Sequence, residues 1–259
     1  MSLTLQGKRA LVCGSSQGIG RAAAVALAAA GATVTLLARN RAALEAVRDG
    51  LVGTGHAVLV ADFDDPDAVR QIVAAHVAEQ GPHHILVNNT GGPRGGPAHT
   101  AEPDTFVAVF RQHLLVNQVL VQTLLPGMRA AGYGRIINVI STSVKEPIPD
   151  LGVSNTIRGA VASWAKTLAG ELGTHGITVN NVLPGFTRTT RLEGLFAAKA
   201  KQSGKSIADV EAAARAMIPL GRFAEPEEIA AAIAFLASPV AGYINGINLP
   251  VDGGRTRSL

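Results

Sequence analysis

The order of strand, glycine-rich turn and helix within residues 10–30 constrains the fold of this chain more than any other part of its sequence. A short apolar run over residues 10–12 predicts a buried strand, and the alanine-rich residues 21–30 predict a helix. Between them stands a turn in which three glycines have the spacing G-x-x-x-G-x-G. Because N–H groups at a helix N-terminus lack internal partners and the helix dipole places partial positive charge there, this order predicts an anion site.

Each glycine of the turn has a predicted purpose. Gly14 allows the turn, Gly18 lets the backbone approach a pyrophosphate, and Gly20 lets the helix pack against the strand. The spacing differs from the G-x-G-x-x-G of the commoner dinucleotide fingerprint, so a tight turn without a ligand is the alternative interpretation. The predicted phosphate-binding residues are Gly14, Ser15, Ser16, Gln17, Gly18, Ile19 and Gly20.

Apolar strand patterns alternate with helical patterns along the rest of the chain. That alternation predicts a parallel sheet covered by helices on both faces, with right-handed crossovers. The predicted fold class is α/β: a single-domain, Rossmann-type, doubly wound parallel sheet of about seven strands over residues 1–259, with a mobile substrate flap around 189–217. The later strands are predicted over residues 33–38, 56–61, 85–88, 135–140, 177–183 and 246–251, and the later helices over 42–49, 67–79, 103–129 (broken near Pro126), 154–172 and 226–237.

Composition narrows the possible functions. A hydrophobic fraction of 47% with 16% charged residues is typical of a globular protein with a large core. The net charge of +4 comes from scattered basic residues, so we predict no nucleic-acid partner. The single cysteine, Cys13, excludes an internal disulfide, and the Met1 end lacks a signal-peptide pattern, so we expect a cytoplasmic protein. Proline, glycine and asparagine interrupt the longest uncharged run, so we predict no membrane span, and no Cys/His spacing indicates a metal.

Arg39 bears on the identity of the nucleotide. Open parallel sheets bind ligands at the carboxyl ends of their strands, and in the dinucleotide fingerprint an acid at the end of the second strand holds the ribose 2′-hydroxyl of NAD. Here the strand ends in Ala38-Arg39, and a guanidinium there favours the 2′-phosphate of NADP(H). An exposed arginine without a partner is the alternative. Asp62, after the third strand, could accept from the adenine amino group or cap the next helix.

Several motifs together resemble the short-chain dehydrogenase/reductase family, in the single-domain form related to 3-oxoacyl-carrier-protein reductases. They run nearly end to end: the glycine turn, Asp62, Asn88-Asn89-Thr90-Gly91, Gly134-Arg135-Ile136-Ile137-Asn138, Pro184-Gly185 with Thr189, Pro219-Leu220-Gly221-Arg222-Phe223, and residues 246–254. The resemblance implies a nicotinamide cofactor, a small-molecule carbonyl or alcohol substrate, and a homotetramer or homodimer with the helices around His113 and Val161 between subunits. It also implies cofactor contacts at Asp62, Phe63, Asn89, Thr90, Gly91, Arg158, Pro184, Gly185, Thr187 and Thr189.

The chain departs from this family at the catalytic positions. Family members use an Asn, Ser, Tyr and Lys tetrad, in which the Tyr transfers the proton. The Lys, four residues later, holds the nicotinamide ribose and lowers the pKa of the Tyr. Ser141 matches the family Ser, but Ser154 stands at the Tyr position and Arg158 at the Lys position. His113 falls where the Asn is expected.

These replacements change the acid–base chemistry that the site can perform. A tyrosine hydroxyl has a pKa near ~10, whereas a serine hydroxyl is closer to the roughly 15.7 of water. Since each pKa unit is about 1.4 kcal/mol, proton transfer from Ser154 is less favourable by several kcal/mol. Arg158 lies one helical turn further along the same face and can still reach ribose hydroxyls.

Other candidate proton donors are few. An unperturbed histidine has a pKa suited to proton transfer at neutral pH, so we hypothesise that His113 supplies the proton directly or through water, or that Lys145 does. A packed or subunit-interface histidine and a solvated loop lysine are the alternatives. Tyr133 and Tyr243 fall outside the catalytic helix, and His83-His84 is expected at the surface.

Two functions are open for this chain. The first is an NADP(H)-dependent oxidoreductase that interconverts a carbonyl and an alcohol, with Ser141, Ser154, Arg158 and His113 as catalytic residues. The second is a catalytically degenerate relative that binds the dinucleotide or another small ligand for a structural or regulatory purpose. The presence of Ser154 and Arg158 is the feature that separates the two.

Overall fold

Seven strands pair in parallel to form one sheet in the computed structural model, which describes residues 3–258. They are β1 (Arg9–Cys13), β2 (Thr33–Ala38), β3 (Ala57–Val60), β4 (Ile85–Asn88), β5 (Gly134–Val139), β6 (Ile177–Pro184) and β7 (Asn248–Val251). Their order across the sheet is β3-β2-β1-β4-β5-β6-β7. The direction of winding reverses between β1 and β4, and at such a point the loops that leave the two strands diverge and open a crevice.

Helices cover both faces of this sheet. Within residues 3–258 they are α1 (Gly18–Ala29), α2 (Arg41–Asp49), α3 (Pro66–Gln80), α4 (Pro103–Phe110), α5 (Val116–Ala130), α6 (Gly152–Leu172), α7 (Thr190–Ser203), α8 (Ile207–Ala216) and α9 (Pro226–Ala237). One core lies between the sheet and α1, α2 and α9, and a second lies on the opposite face against α3, α5 and α6. Both faces of the central strands are therefore buried, and the predicted α/β fold class is confirmed.

The apolar stretches of the helices stay short. In the described part of the chain, each helix is either too short or too polar to cross a lipid bilayer.

The helical stretch predicted over residues 103–129 breaks at a different place from the one expected. The chain passes from α4 to α5 through a π-helical turn, Arg111–Leu115, whereas Pro126 lies inside α5, so the prediction of a break near Pro126 is wrong. Pro126 removes the helical partner of the Gln122 carbonyl group, but Gln122 is exposed and water can bind that carbonyl. The π-helical turn carries His113.

Four asparagines form a hydrogen-bonded ladder across half of the sheet. Nδ2 of Asn88 donates to Oδ1 of Asn138, Nδ2 of Asn138 donates to Oδ1 of Asn181, and Nδ2 of Asn181 donates to Oδ1 of Asn248, each at 2.8 Å. The four residues occupy matching register positions in β4, β5, β6 and β7. The ladder therefore fixes the relative level of these strands close to where β4 and β5 end.

The segment 189–217 contains the two helices α7 and α8, which share a small apolar core. Leu192 and Phe196 of α7 pack with Val210 of α8 and with Phe223, which follows the segment. This cluster is separate from the two cores that flank the sheet. The mobility of the segment as a substrate flap stays a prediction.

The prediction that His83-His84 lies at the surface is wrong. His83 is 1% exposed, and its Nε2 lies 2.9 Å from Oγ1 of Thr35, which also lies 3.0 Å from Nε2 of His76. Nδ1 of His84 accepts the backbone N–H of Arg9 at 3.1 Å. A neutral imidazole can be buried when a hydroxyl or a backbone group pairs with it. Burial is also the main reason that the pKa of His83 falls to about 4.

Burial of His83 predicts that the fold loses stability in mild acid. Between pH 6.5 and 4 the unfolded state binds a proton at position 83 that the folded state does not accept, so a falling pH favours unfolding. We expect the free energy of unfolding to decrease across this window. His83→Gln keeps a hydrogen-bonding side chain and should lessen the decrease by up to about 1.4 kcal/mol per pH unit.

Urea titrations at several pH values measure this effect. His175→Gln changes an exposed histidine and is the control, which should leave the pH dependence of wild type nearly unchanged. Equal slopes for H83Q and wild type would contradict the prediction.

Candidate functional site

The turn between β1 and α1 depends on glycine for both its conformation and its packing. Gly14 and Gly18 have φ angles of 58° and 53°, in the left-handed region that disfavours side chains. A Cβ at Gly14 would lie 2.5 Å from the carbonyl oxygen of Asn89, and a Cβ at Gly20 would overlap the carbonyl oxygen of Gly14. The turn and the start of α1 are therefore closer together than side chains would allow.

The N-terminus of α1 lacks the cap that the next two helices have. α2 and α3 follow Asn40 and Asp65, whose side chains accept the N–H groups of Ala43 and Ala68. Gln17, which precedes α1, makes no such bond to a described residue, and the first turn of α1 contains no acidic side chain. The N–H groups of that turn keep their capacity to bind an anion, so the residues present fit a dinucleotide phosphate.

Strand β2 and the start of α7 contact this turn from opposite sides. Ser15 is fully buried, and its hydroxyl accepts the backbone N–H of Leu37 in β2 at 3.1 Å. On the other side, a Cβ at Gly18 would lie 3.2 Å from Cγ2 of Thr189, which caps α7. The Ser15 hydroxyl is therefore buried against β2, where it supports the turn. The more exposed side chains of the turn are Ser16, Gln17 and Ile19.

Arg39 stands at the end of β2 with 74% of its side chain exposed. Its Nη1 lies 3.7 Å from Oδ2 of Asp62, and an exposed ion pair at that distance contributes little and leaves the guanidinium able to meet a phosphate. Asp62 does not cap α3, because Asp65 takes that position, so the capping interpretation of Asp62 is wrong. The Asp62 carboxylate accepts the backbone N–H of Asp64 instead, and Phe63 packs against the second core.

Asn89 joins the loop after β4 to the glycine turn. Its Nδ2 donates to the carbonyl oxygens of Cys13 and Gly14, both at 3.3 Å. Because this bond spans the two strands at which the winding reverses, it holds Thr90 and Gly91 beside the crevice. The predicted contacts after β4 and those of the glycine turn therefore belong to one site.

His113 is buried, and its ring is neutral. The π-helical turn places its Nδ1 2.5 Å from Oγ1 of Thr90. Burial, followed by the charges of Arg158 and Arg191, lowers the pKa of His113 to about 2, although a hydrogen bond to the backbone of Gly91 acts in the opposite sense. The unperturbed pKa that suits histidine to proton transfer at neutral pH does not apply to His113 in this fold.

Ser141, Ser154 and Arg158 lie around the end of β5. Ser141 precedes a short 3-10 turn, where its hydroxyl accepts the N–H of Ser143 at 3.1 Å. Arg158 reaches from α6 to the carbonyl oxygen of Val139, two residues before Ser141, and donates to it at 2.8 Å. Ser154 is partly buried one turn before Arg158 on the same helix. The structure thus places Arg158 against the strand end that leads to Ser141, with Ser154 one turn away from Arg158 on the same helix.

Arg191 is a residue of this site that was not predicted. It lies in the first turn of α7, and its Nη2 donates to the carbonyl oxygen of Pro93 in the loop after β4. Burial, followed by the charge of Arg191, lowers the pKa of Arg158 to about 10, so Arg158 remains a cation at neutral pH. The sequence around Arg191 is typical of an exposed helix start, so it gives no sign of a site. Only the fold shows that α7 lies over the loop after β4.

The residues after β7 hold the loop that carries Ser141, and this contact was not predicted either. The Glu146 carboxylate accepts the backbone N–H of Arg257 at 2.6 Å and that of Ser258 at 2.9 Å. Nη1 of Arg255 donates to Oγ1 of Thr142 at 3.2 Å. Glu146 and Arg257 are 111 residues apart in the chain, so no local pattern signals the contact.

The loop after β6 lies beside the last strand. Pro184 ends β6, the N–H of Gly185 donates to the carbonyl oxygen of Val251 at 3.0 Å, and the Thr187 hydroxyl donates to the carbonyl oxygen of Gly185 at 3.2 Å. Thr189 then caps α7, which carries Arg191. The loop therefore links the last strands to the helix over the site.

Neither tyrosine belongs to the site. Tyr133 precedes β5 at its amino end, where its hydroxyl donates to the carbonyl oxygen of Ala237 at 2.6 Å, and Tyr243 is fully exposed. Lys145 is partly buried in the loop that follows Ser141. The described site therefore contains two serine hydroxyls and two guanidinium groups. Both tyrosines lie elsewhere, so neither can transfer a proton here.

Comparison with known protein families gives a match over almost the whole chain. A family model described as "Enoyl-(Acyl carrier protein) reductase" matches residues 14–256. The chain is 34% identical over 254 residues to the 3-oxoacyl-[acyl-carrier-protein] reductase FabG of Vibrio cholerae, which covers 97% of this chain and 98% of that protein. It is 33% identical over 264 residues to the gluconate 5-dehydrogenase of Gluconobacter oxydans, with coverage of 99% and 97%.

Solved structures of similar proteins share the complete fold. L-sorbose reductase from Gluconobacter frateurii, solved in complex with NADPH and L-sorbose, has a TM-score of 0.94 and 31% identity over 100% of both chains. YwfH, an NADPH dependent reductase involved in bacilysin biosynthesis, has a TM-score of 0.92 and 28% identity over 97% of this chain and 99% of that chain. The likeness therefore extends well beyond the glycine turn.

The neutrality of His113 predicts a signature that NMR can detect. Because its pKa lies at about 2, the imidazole ¹⁵N shifts of His113 should stay constant between pH 8 and 5 and show one protonated and one unprotonated nitrogen. The spectrum of His113→Gln identifies the signal by its loss. A titration of that signal with a midpoint above pH 5 would contradict the prediction.

Proposed function

This chain belongs to the short-chain dehydrogenase/reductase family, and we propose that it is an NADP(H)-dependent oxidoreductase that interconverts a carbonyl compound and an alcohol. The observation that carries the proposal is the uncapped N-terminus of α1 on its glycine turn, with exposed Arg39 at the end of the neighbouring strand β2. Amide donors suit a pyrophosphate, and a guanidinium suits the 2′-phosphate of NADP(H). The NADPH complex of L-sorbose reductase supports the same cofactor.

The residues that would hold the cofactor follow the carboxyl edge of the sheet. The glycine turn would bind the pyrophosphate, Arg39 the 2′-phosphate, and Asp62 the adenine amino group. Arg158 would hold the nicotinamide ribose. The remaining contacts would come from Asn89, Thr90, Gly91, Pro184, Gly185, Thr187 and Thr189. When bound, NADPH supplies the hydride for the carbonyl carbon.

The side chains around the end of β5 would act on the substrate oxygen. The Ser141 hydroxyl donates a hydrogen bond to that oxygen. Arg158, a buried cation, stabilises the negative charge that develops there, because a charge–charge interaction is stronger away from water. The Ser154 hydroxyl relays a proton from solvent, since its own pKa is too high for it to act as the final acid. Lys145 is the alternative source of that proton.

The role of His113 in this proposal differs from the one expected from its unperturbed pKa. A ring with a pKa of about 2 carries no proton to give at neutral pH beyond that of the neutral imidazole. We assign His113 to the orientation of Thr90, through the 2.5 Å contact between Nδ1 and Oγ1. The Thr90 side chain then stays beside the crevice.

A catalytically degenerate relative that binds the dinucleotide without turnover is the second candidate, and the serine at position 154 favours it. A titration with NADPH and NADH, followed by a panel of aldehydes and ketones, separates the two functions. Oxidation of NADPH by a member of the panel supports the enzyme. Binding of NADPH without turnover of any member supports the degenerate relative.

Restoring the family residues tests whether the rest of the site is competent. We expect Ser154→Tyr combined with Arg158→Lys to raise kcat at least ~10-fold on a carbonyl substrate, because a positioned general acid contributes about 10²–10⁴-fold. Ser154→Phe with Arg158→Lys adds the ring without the hydroxyl and is the matched control, for which no gain is expected. An unchanged kcat in the double variant, with NADPH still bound, would count against a competent site.

The cofactor preference has its own test at Arg39. We expect Arg39→Met to weaken NADPH binding by about 10–100-fold, since a hydrogen bond to a charged group contributes about 1.5–3 kcal/mol, and to leave NADH binding nearly unchanged. Arg41→Met is the control, because Arg41 is also an exposed arginine close to the end of β2 but is not one of the proposed contacts of the nucleotide. Equal losses for NADPH and NADH in R39M, measured by fluorescence titration, would refute the assignment of Arg39 to the 2′-phosphate.

A further inference from the structure

Two guanidinium groups meet over Gly92, in the loop after β4. From the point where a Cβ of Gly92 would stand, Nη2 of Arg191 lies 3.2 Å away and Nη2 of Arg158 lies 3.7 Å away. Arg158 extends from α6 in the interior and is 8% exposed, whereas Arg191 extends from the start of α7 and is exposed. Arg158 is therefore the inner cation of the pair and Arg191 the outer one.

Neither arginine has a carboxylate partner in the part of the chain that the structure describes. Arg158 donates to the carbonyl oxygen of Val139, and Arg191 donates to that of Pro93. The ion pairs found within residues 3–258 involve other arginines, namely Arg39, Arg41, Arg48, Arg188, Arg215 and Arg222. Backbone carbonyls satisfy N–H groups without neutralising a charge, so the two positive charges stand together uncompensated.

A buried cation with a second cation beside it favours the binding of an anion. Buried charges in proteins are normally paired, and two like charges at short range repel each other. His113, whose pKa is affected by both arginines, is a neutral ring and does not compensate their charge. A guanidinium has five N–H donors, and most of those on the two arginines remain available. An oxyanion that accepts from both side chains would complete the pair.

We propose that this arginine pair binds the carboxylate or phosphate of an anionic carbonyl substrate, which makes oxo acids or phosphorylated ketones the substrate class. The inference rests on the proposed function, because it assigns a specificity to that same site. Arg158 extends from the helix of Ser154 and bonds to the chain two residues before Ser141. An anion on the pair therefore holds the rest of the substrate near both hydroxyls. Arginine forks match planar oxyanions with two parallel hydrogen bonds.

Calorimetric titration of the protein saturated with NADP⁺ tests the inference with simple probes. Malonate represents the carboxylate, inorganic phosphate represents the phosphate, and malonamide is the uncharged counterpart of malonate. We expect malonate or phosphate to bind saturably, malonamide not to bind, and Arg191→Met to weaken anion binding at least ~10-fold, the loss typical of a charged hydrogen bond. The anion that binds more tightly identifies the class of substrate.

Arg188→Met is the matched control, because Arg188 precedes α7 in the same loop but pairs with Glu225 at 2.9 Å. It should bind both anions like wild type. Arg191 is exposed, so R191M should fold, and circular dichroism verifies this. Should it not fold, Arg191→Gln gives the same measurement.

Three results would overturn the inference. The first is a lack of saturable binding of either anion to wild type, and the second is equal anion affinities in R191M and wild type. The third is a loss of NADPH affinity in R191M with unchanged anion binding, which would assign Arg191 to the cofactor. The same titrations without NADP⁺ separate this inference from the proposed function. If NADPH does not bind wild type, the proposed function fails. The anion site is then tested by the titration of the free protein alone.

Discussion

The close approach of α1 to the turn that precedes it sets the geometry of the carboxyl edge of the sheet. Gly20 packs where a side chain would overlap the carbonyl oxygen of Gly14, and Asn89 holds the same turn from β4. The helix N-terminus therefore projects into the crevice at the point where the winding reverses. Because Thr90 follows Asn89 directly, the position of the Thr90–His113 contact depends on the same turn. The part of the site that we propose binds the nucleotide and the part that we propose acts on the substrate are therefore not independent of each other.

The electrostatics of the site follow from the exchange of a phenol for a serine hydroxyl. In a Tyr–Lys arrangement the cation lowers the pKa of a neighbouring acid, but Ser154 offers no acid within reach of neutral pH. We propose that the positive charge of Arg158 acts directly on an oxygen of the substrate or on a second anion. Burial, followed by the same charge and by that of Arg191, lowers the pKa of His113 and keeps its ring neutral, and a neutral ring suits the contact with Thr90. In the function proposed here, stabilisation of charge by Arg158 therefore carries more of the chemistry than acid catalysis by a side chain of the site.

Local patterns in the sequence predict the elements of this fold well and their long-range contacts poorly. The alternation of apolar runs and amphipathic segments places every strand and most helix ends within two residues, as at α2 and α6. The π-helical turn at His113 has no local signature, whereas a proline predicts a break, so the sequence predicts the break at Pro126 instead. The buried position of His83 has no local signal, because its partner, Thr35, lies in β2, far away in the sequence. Arg191 enters the site only through the packing of α7. The homotetramer or homodimer, the cytoplasmic location and the roles of individual site residues stay predictions.

The asparagine ladder has a direction, and its members are therefore not equivalent. Asn138 and Asn181 each both accept and donate, whereas Asn248 enters the ladder only as an acceptor. Deamidation exchanges an NH₂ group for an oxygen and thus removes a donor but keeps an acceptor. The bond to position 248, on the edge strand, survives that exchange. At position 138, which is fully buried, the same exchange removes the bond to Asn181 and leaves a carboxylate in the interior. Deamidation therefore spares the hydrogen bond at the edge of the ladder and breaks one at its centre.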